Sequence, residues 1–196
     1  MERAFFVDRD GVINRMVIYE SGWDSPQKAE DVKLVSGIEK VISWANENKI
    51  SVIEVSNQPG VAKGKMTQTV SDNIESQVHK LLSKKGAVIN NVYICPHYPD
   101  AMVPELKKVC DCRKPKPGLI FQASSELGLD LSGSIMLGDK SSDAEAAQNA
   151  GVKSILYLHN EDQADKNAEA RLSKANFKVV SMSEVIPIIE SFFKLR

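Results

Sequence analysis

No stretch of this chain stays apolar for long, neither sign of charge dominates it, and cysteine is scarce. Each shortage excludes a class of protein. The first apolar run, Ala4 to Val7, stops at Asp8, too short for the core of a secretory signal, and no later segment reaches bilayer-spanning length. A cytoplasmic protein that engages no membrane is expected. Twenty-five basic against 26 acidic residues leave a net charge of −1. No long-range field therefore draws the chain to nucleic acid, and a small-molecule partner is expected instead. Its three cysteines all fall between Cys95 and Cys112, whereas a disulfide scaffold carries an even number spread along the chain. Internal repeats and low-complexity tracts are also missing.

The remainder reads as one globular domain over residues 1–196, since 42% hydrophobic and 26% charged residues suit a packed core. Nothing in the pattern suggests a large cap domain or an assembly surface, so a monomer is expected. Short β-branched or aromatic runs alternate with helical patterns. That rhythm predicts an α/β fold, a doubly wound, Rossmann-like and mostly parallel sheet with helices on both faces. Strands are predicted at Ala4 to Val7, Ser51 to Val55, Val92 to Cys95, Ser134 to Leu137 and Ser154 to Leu158, with a weaker one at Phe177 to Val180. Ile38, Val41, Ile42 and Ala45 recur at helical spacing and predict one buried stripe. Thr67 is placed to cap a longer helix with Val70, Ile74, Val78 and Leu81 inward and Gly86 at its end. Further helices are predicted over Gly118 to Leu127, Ser142 to Ala150, and from Ser183 onward.

Two stretches break the rhythm. Arg15 to Asp31 holds Gly22, Trp23 and Pro26, and Pro96 to Pro117 holds five of the eight prolines. Doubly wound sheets bind ligands outside the carboxyl ends of their strands, so both are candidate substrate-shaping loops.

Chemistry concentrates at the predicted strand ends. Asp8 and Asp10 follow the first strand, and Gly11 permits a turn that brings both carboxylates to one site. Such a pair suits Mg²⁺, which favours oxygen ligands and keeps room for a phosphate. Asp8 can then attack phosphorus as a nucleophile, and Asp10 can move the protons. Taken alone, D-x-D-G is equally consistent with a strand that ends in two carboxylates bonded to turn amides. Further stations add weight. Ser56-Asn57-Gln58-Pro59-Gly60 follows the second strand and sets a hydroxyl and backbone amides where a phosphoryl oxygen is held, which makes Asn57 and Gln58 candidate substrate contacts. Arg113-Lys114-Pro115-Lys116-Pro117 offers cations for phosphoryl charge, or simply a solvated basic loop. After the fourth strand, Asp139 can complete a metal shell, with Asp143 supporting it or only capping the next helix.

Cys95-Pro96-His97 and Cys110-Asp111-Cys112 form C-x-H, twelve residues, then C-x-C. Three thiolates and an imidazole make a closed tetrahedral set for a structural Zn²⁺. Zinc would staple a proline-rich loop with little core of its own. His79, in a helical pattern, and His159, after a strand, read as ordinary surface or packing residues.

In this order and after successive strands, the stations from Asp8 to Asp143 resemble the motif set of the haloacid dehalogenase phosphatases. The resemblance implies that Asp8 is nucleophile and metal ligand, that Asp10 is general acid and base and binds metal through its carbonyl, and that Asp139 is a metal ligand. It also implies that Ser56 and Lys114 stabilise the phosphoryl group. The cysteine loop leading into Arg113-Lys114-Pro115, with Ser56 to Gly64, is similar to the D-glycero-D-manno-heptose 1,7-bisphosphate 7-phosphatase family. That likeness implies a phosphorylated-sugar substrate losing its C7 phosphate through a phospho-aspartate, with Arg113 and Lys140 touching it. Competing readings are a histidinol-phosphate phosphatase with a shorter zinc-loop spacing, a nucleic-acid end phosphatase, and a non-catalytic zinc-stapled binding module. One departure from the family stands out, because Arg15 to Asp31 is longer than the loop expected after Asn14.

Overall fold

The structure, a computed structural model, describes residues 2–158 and 172–194; His159 lies outside them. Strand β1 (Ala4–Val7) is buried at every position, as a parallel strand covered on both faces must be. Its side chains alternate between two cores. Phe5 and Val7 enter one hydrophobic cluster, Ala4 and Phe6 the other. β1 pairs in parallel with β4 (Ser51–Asn57) and with β6 (Ile135–Gly138). β5 (Asn91–Cys95), β7 (Lys153–Tyr157) and β8 (Phe177–Val179) extend a six-stranded parallel sheet ordered β5-β4-β1-β6-β7-β8. The expected doubly wound sheet is present. β4 and β6 leave β1 on opposite sides, so the strand order reverses at β1, and ligands bind at such a reversal, outside the carboxyl ends.

Helices cover both faces. α1 (Ile38–Glu47) buries the predicted stripe of Ile38, Val41, Ile42 and Ala45. α2 (Gln68–Ser83) starts where Thr67 Oγ1 accepts from Val70 N and buries Ile74, Val78 and Leu82; Leu82 replaces the expected Leu81, which packs part-buried. These two and the last helix, α5 (Val185–Lys194), share the cluster of Phe5 and Val7. α3 (Gly118–Leu127) and α4 (Ser141–Asn149) cover the opposite face through Leu119, Ile120, Ala123, Ala146 and Ala147. Each large side chain buried there contributes about 1.5–3 kcal/mol. No described helix is long and apolar enough to cross a membrane.

Between β1 and α1 the stretch expected as a loop forms an antiparallel hairpin, β2 (Val17–Tyr19) with β3 (Gly22–Asp24). Strands of three residues show no period that a sequence reveals. The hairpin is tied down at both its tip and its base. Tyr19 Oη donates to Asp31 at 2.7 Å and accepts from Gln27 N, and Asp24 pairs with Lys65.

Candidate active site

β1 delivers Asp8 to the carboxyl edge of the sheet, where Asp8 N still donates to Leu137 O of β6 at 2.9 Å. The chain then turns through Gly11, whose φ of +94° favours glycine, and a side chain at that position would strike the Asp139 carboxylate. Asp8, Asp139 and Asp143 are all buried, with carboxylate oxygens within 4.8 Å of one another. Three carboxylates out of water repel unless cations intervene. Lys114 is one such cation. Its Nζ lies 2.8 Å from Asp8 Oδ1, 2.6 Å from Asp143 Oδ1, and donates to Val55 O. Burial works against its charge, but Asp143 and Asp8 outweigh burial and raise its pKa. Lys140 adds a weaker pairing, 3.7 Å from Asp139. For Asp8 the balance runs the other way. Burial raises its pKa, Lys114 opposes that and Asp143 reinforces it, with a net upward shift. Both of its hydrogen bonds, from Arg9 N and from Lys114, fall on Oδ1.

The carboxylate of Asp10 stands outside that trio and faces a different set of donors. Asn14 Nδ2 reaches Oδ1 at 3.0 Å, while Gln58 Nε2 and Ser25 Oγ reach Oδ2 at 2.7 and 2.8 Å. Burial alone would raise its pKa. The Arg9 guanidinium and the bonds from Gln58 and Asn14 overcome burial and hold it at about 2.

The other expected residues divide. Ser56 and Asn57 are the last residues of β4 rather than a turn after it. Ser56 is buried and accepts from Gln58 Nε2 at 2.7 Å. Asn57 spends both amide atoms on the backbone of Lys114, which fixes that lysine's segment beside β4. Arg113 lies over the Tyr98 ring, as does Lys63, and donates to His97 O. Asp143 serves in two ways: Oδ1 faces Lys114, while Oδ2 accepts from the backbone N of Asp139 and Lys140 and so starts α4.

The Cys95, Cys110 and Cys112 sulfurs lie 3.2–3.5 Å apart, with His97 Nδ1 3.3 Å from Cys112 Sγ and 3.8 Å from Cys95 Sγ. A tetrahedron of ~2.3 Å Zn–S bonds has edges of about 3.7 Å, so the four atoms sit close to the corners of a zinc shell. All three cysteines are free of disulfides.

Residues 111–182 match the HAD-hydrolase-like family model. The D-glycero-alpha-D-manno-heptose-1,7-bisphosphate 7-phosphatase of Photorhabdus laumondii is 35% identical over 187 residues, covering 93% of this chain and 97% of that protein. The D-glycero-beta-D-manno-heptose-1,7-bisphosphate 7-phosphatase of Escherichia coli K12 is 32% identical over 78% of each chain. Among solved structures, the D,D-heptose 1,7-bisphosphate phosphatase of B. bronchiseptica, complexed with magnesium and phosphate, superposes with a TM-score of 0.80 at 24% identity, over 96% of this chain and 98% of that one. This chain belongs to the heptose bisphosphate phosphatase family of the haloacid dehalogenase superfamily.

The phosphatase also carries site residues that sequence reasoning passed over. Arg9, between the two aspartates, is 2% exposed and threads beneath Asp10. Glu54 interrupts the apolar run of β4 and is fully buried; a charged residue inside such a run was the available signal. Ser25 reaches Asp10 from beyond the hairpin, and no pattern in the sequence announces that contact. His79 is more than an isolated surface residue, since its Nε2 lies 3.0 Å from Glu75 Oε1.

Proposed function

We propose that this phosphatase removes the C7 phosphate of D-glycero-D-manno-heptose 1,7-bisphosphate through a phospho-aspartate at Asp8, as a magnesium-dependent cytoplasmic monomer with a structural zinc. The observation that carries the reading is the placement of Lys114 between the buried carboxylates of Asp8 and Asp143, with Asp139 in the same group. Those carboxylates hold more negative charge than Lys114 neutralises, which suits a hard dication with oxygen ligands. Asp8, Asp139 and the carbonyl of Asp10 would hold the ion, and Cys95, His97, Cys110 and Cys112 would hold zinc. When bound there, magnesium would polarise the phosphoryl oxygens and offset their charge. The names of the relatives support the sugar bisphosphate.

Asp8 attacks phosphorus through a carboxylate oxygen, forming the aspartyl phosphate while the ester P–O bond breaks. Asp10 passes a proton to the departing sugar oxygen. In its resting state Asp10 is ionised, but an approaching phosphate dianion adds negative charge beside it and raises its proton affinity. Water next attacks the aspartyl phosphate, Asp10 takes its proton, and Asp8 is restored as inorganic phosphate leaves. Lys114 and the Ser56 hydroxyl neutralise and orient the transferring oxygens throughout, with Arg113 and Lys140 contacting the remainder of the substrate.

A substrate panel tests this: both anomers of the heptose bisphosphate, histidinol phosphate and a 3′-phosphorylated oligonucleotide, each with Mg²⁺ or EDTA. The highest kcat/KM should fall on a heptose bisphosphate, with phosphate lost from C7 and activity abolished by EDTA. Asp8→Asn should show no turnover on any of them. Preferred histidinol phosphate, or an active Asp8→Asn, would end the proposal.

A further inference from the structure

Behind Asp10 lies a buried group of charges that the reaction does not use directly. The Arg9 guanidinium is surrounded by carboxyls from three elements: Asp10 on its own turn, Glu54 on β4 and Glu75 on α2. Its NH1 donates to Glu75 Oε2 at 2.8 Å, whereas the nearest Asp10 oxygen is 3.4 Å away. The other terminal nitrogen donates to Gln58 Oε1 at 2.6 Å. An amide whose oxygen is engaged by a guanidinium must turn its NH₂ away from that cation. Gln58 Nε2 accordingly faces the site, 2.7 Å from Asp10 Oδ2 and 2.7 Å from Ser56 Oγ. His79 secures the second oxygen of Glu75 at 3.0 Å.

Glu54 does not share this anchoring. It is fully buried, and neither carboxyl oxygen has a hydrogen-bond partner among the described residues. Burial first, then the neighbouring Glu75 charge, push its pKa well above the ordinary carboxyl range. Of the two ion pairs of the buried guanidinium, the one with Glu75 is the shorter, 2.8 Å against 3.4 Å to Asp10.

We propose that Glu75 is a positioning residue for proton transfer: by anchoring Arg9 it orients Gln58 and keeps the Asp10 carboxyl aimed at the leaving oxygen. The inference rests on the reading of Asp10 as general acid. Without Glu75 the guanidinium remains buried and turns to the carboxyls left within reach, Asp10 or Glu54. Either move takes Arg9 from Gln58, and a close fork onto Asp10 also occupies the oxygens that must carry the proton. That proton passes from the Asp10 carboxyl to the ester oxygen as the P–O bond breaks, so its misplacement slows departure of a basic alkoxide most.

The test compares two leaving groups. Single-turnover release of the alcohol, which reports phosphorylation alone, is measured for a primary sugar phosphate and for 4-nitrophenyl phosphate, whose nitrophenolate departs without a proton. For Glu75→Ala the sugar-phosphate rate should fall roughly ten- to a hundredfold. Half-saturation and the nitrophenyl rate should stay within about threefold, since neither depends on the acid. Glu75→Gln, which keeps an acceptor oxygen without the charge, should fall between wild type and Glu75→Ala, and it carries the comparison if Glu75→Ala does not fold. Equal loss on both substrates would mark Glu75 as merely structural, and no loss on either would make it irrelevant; each overturns the proposal. A wild-type enzyme inactive on both compounds would instead remove the phosphatase reading of the site, and the inference with it.

Discussion

Replacing Lys114 with methionine keeps most of the stem volume and deletes one charge. The ammonium it removes lies 2.8 Å from Asp8 and 2.6 Å from Asp143, with both partners and the lysine almost wholly buried. Breaking a buried pair by deleting one member costs about 3–5 kcal/mol, because the other charge is left unsolvated. For 196 residues that is a fall in Tm on the order of 10 °C. Turnover should drop by about 10²–10³, the usual effect of losing one electrostatic contact to the reacting group.

The pH dependence gives the sharper check on Lys114→Met. In the wild type the Asp8 pKa already lies above its ordinary value, with Lys114 the largest influence restraining it. Without Lys114 it rises further, so the folded variant binds a proton that the unfolded chain releases. A group with a raised folded pKa favours the fold below that pKa and loses the effect as pH climbs through it. The stability gap between wild type and variant should therefore narrow as pH falls from 7 toward 5, in urea unfolding followed at each pH. The double variant Lys114→Met with Asp143→Asn removes a stranded charge as well, and it should regain part of the stability and none of the turnover. A gap that widens with acid, or a double variant less stable than Lys114→Met, would refute the account of Lys114 as the counter-charge.

Asp10 should behave with the opposite sign. Its pKa is held at about 2, so it stabilises the fold above the ordinary carboxylate range and the effect is lost as pH falls toward 2; Asp10→Asn should cost about 2 kcal/mol at pH 7 and about half that at pH 3. Elemental analysis of protein purified under reductant should give one zinc per chain, and Cys110→Ser should lose that zinc and unfold at a lower temperature, read by calorimetry. In Gly11→Ala the new methyl meets the Asp139 carboxylate in a backbone conformation that favours glycine, so the magnesium concentration for half-maximal activity should rise at least several-fold.

How much of this was legible in the sequence depends on how far apart the cooperating residues lie. β1 and α3 match their predicted bounds, Ala4–Val7 and Gly118–Leu127, because a buried parallel strand and an amphipathic helix write their periods locally. The aspartates, Ser56 and Lys114 were visible for a related reason: each follows, ends or leads into an element that the pattern locates. The hairpin from Val17 to Asp24 was not, since its placement comes from side-chain bonds such as Tyr19 to Asp31 rather than from any run of apolar residues. Arg9 was hidden more deeply, because its anchor on α2 lies 66 residues away and Gln58 lies 49 away.

Glu54 turns that contrast into a rule for reading such chains. A carboxyl placed in the run Val52-Ile53-Glu54-Val55 opposes the local logic of a buried strand. It persists beside a cation that β1 brings to the same end of the sheet, although the ion pairs of that cation are made with Glu75 and Asp10. The conflict within one strand thus marks the rear of the site as clearly as Asp8 and Asp139 mark its mouth. A polar residue breaking a central strand's apolar run is a reason to look for a buried charge on the strand beside it, even where no motif names one.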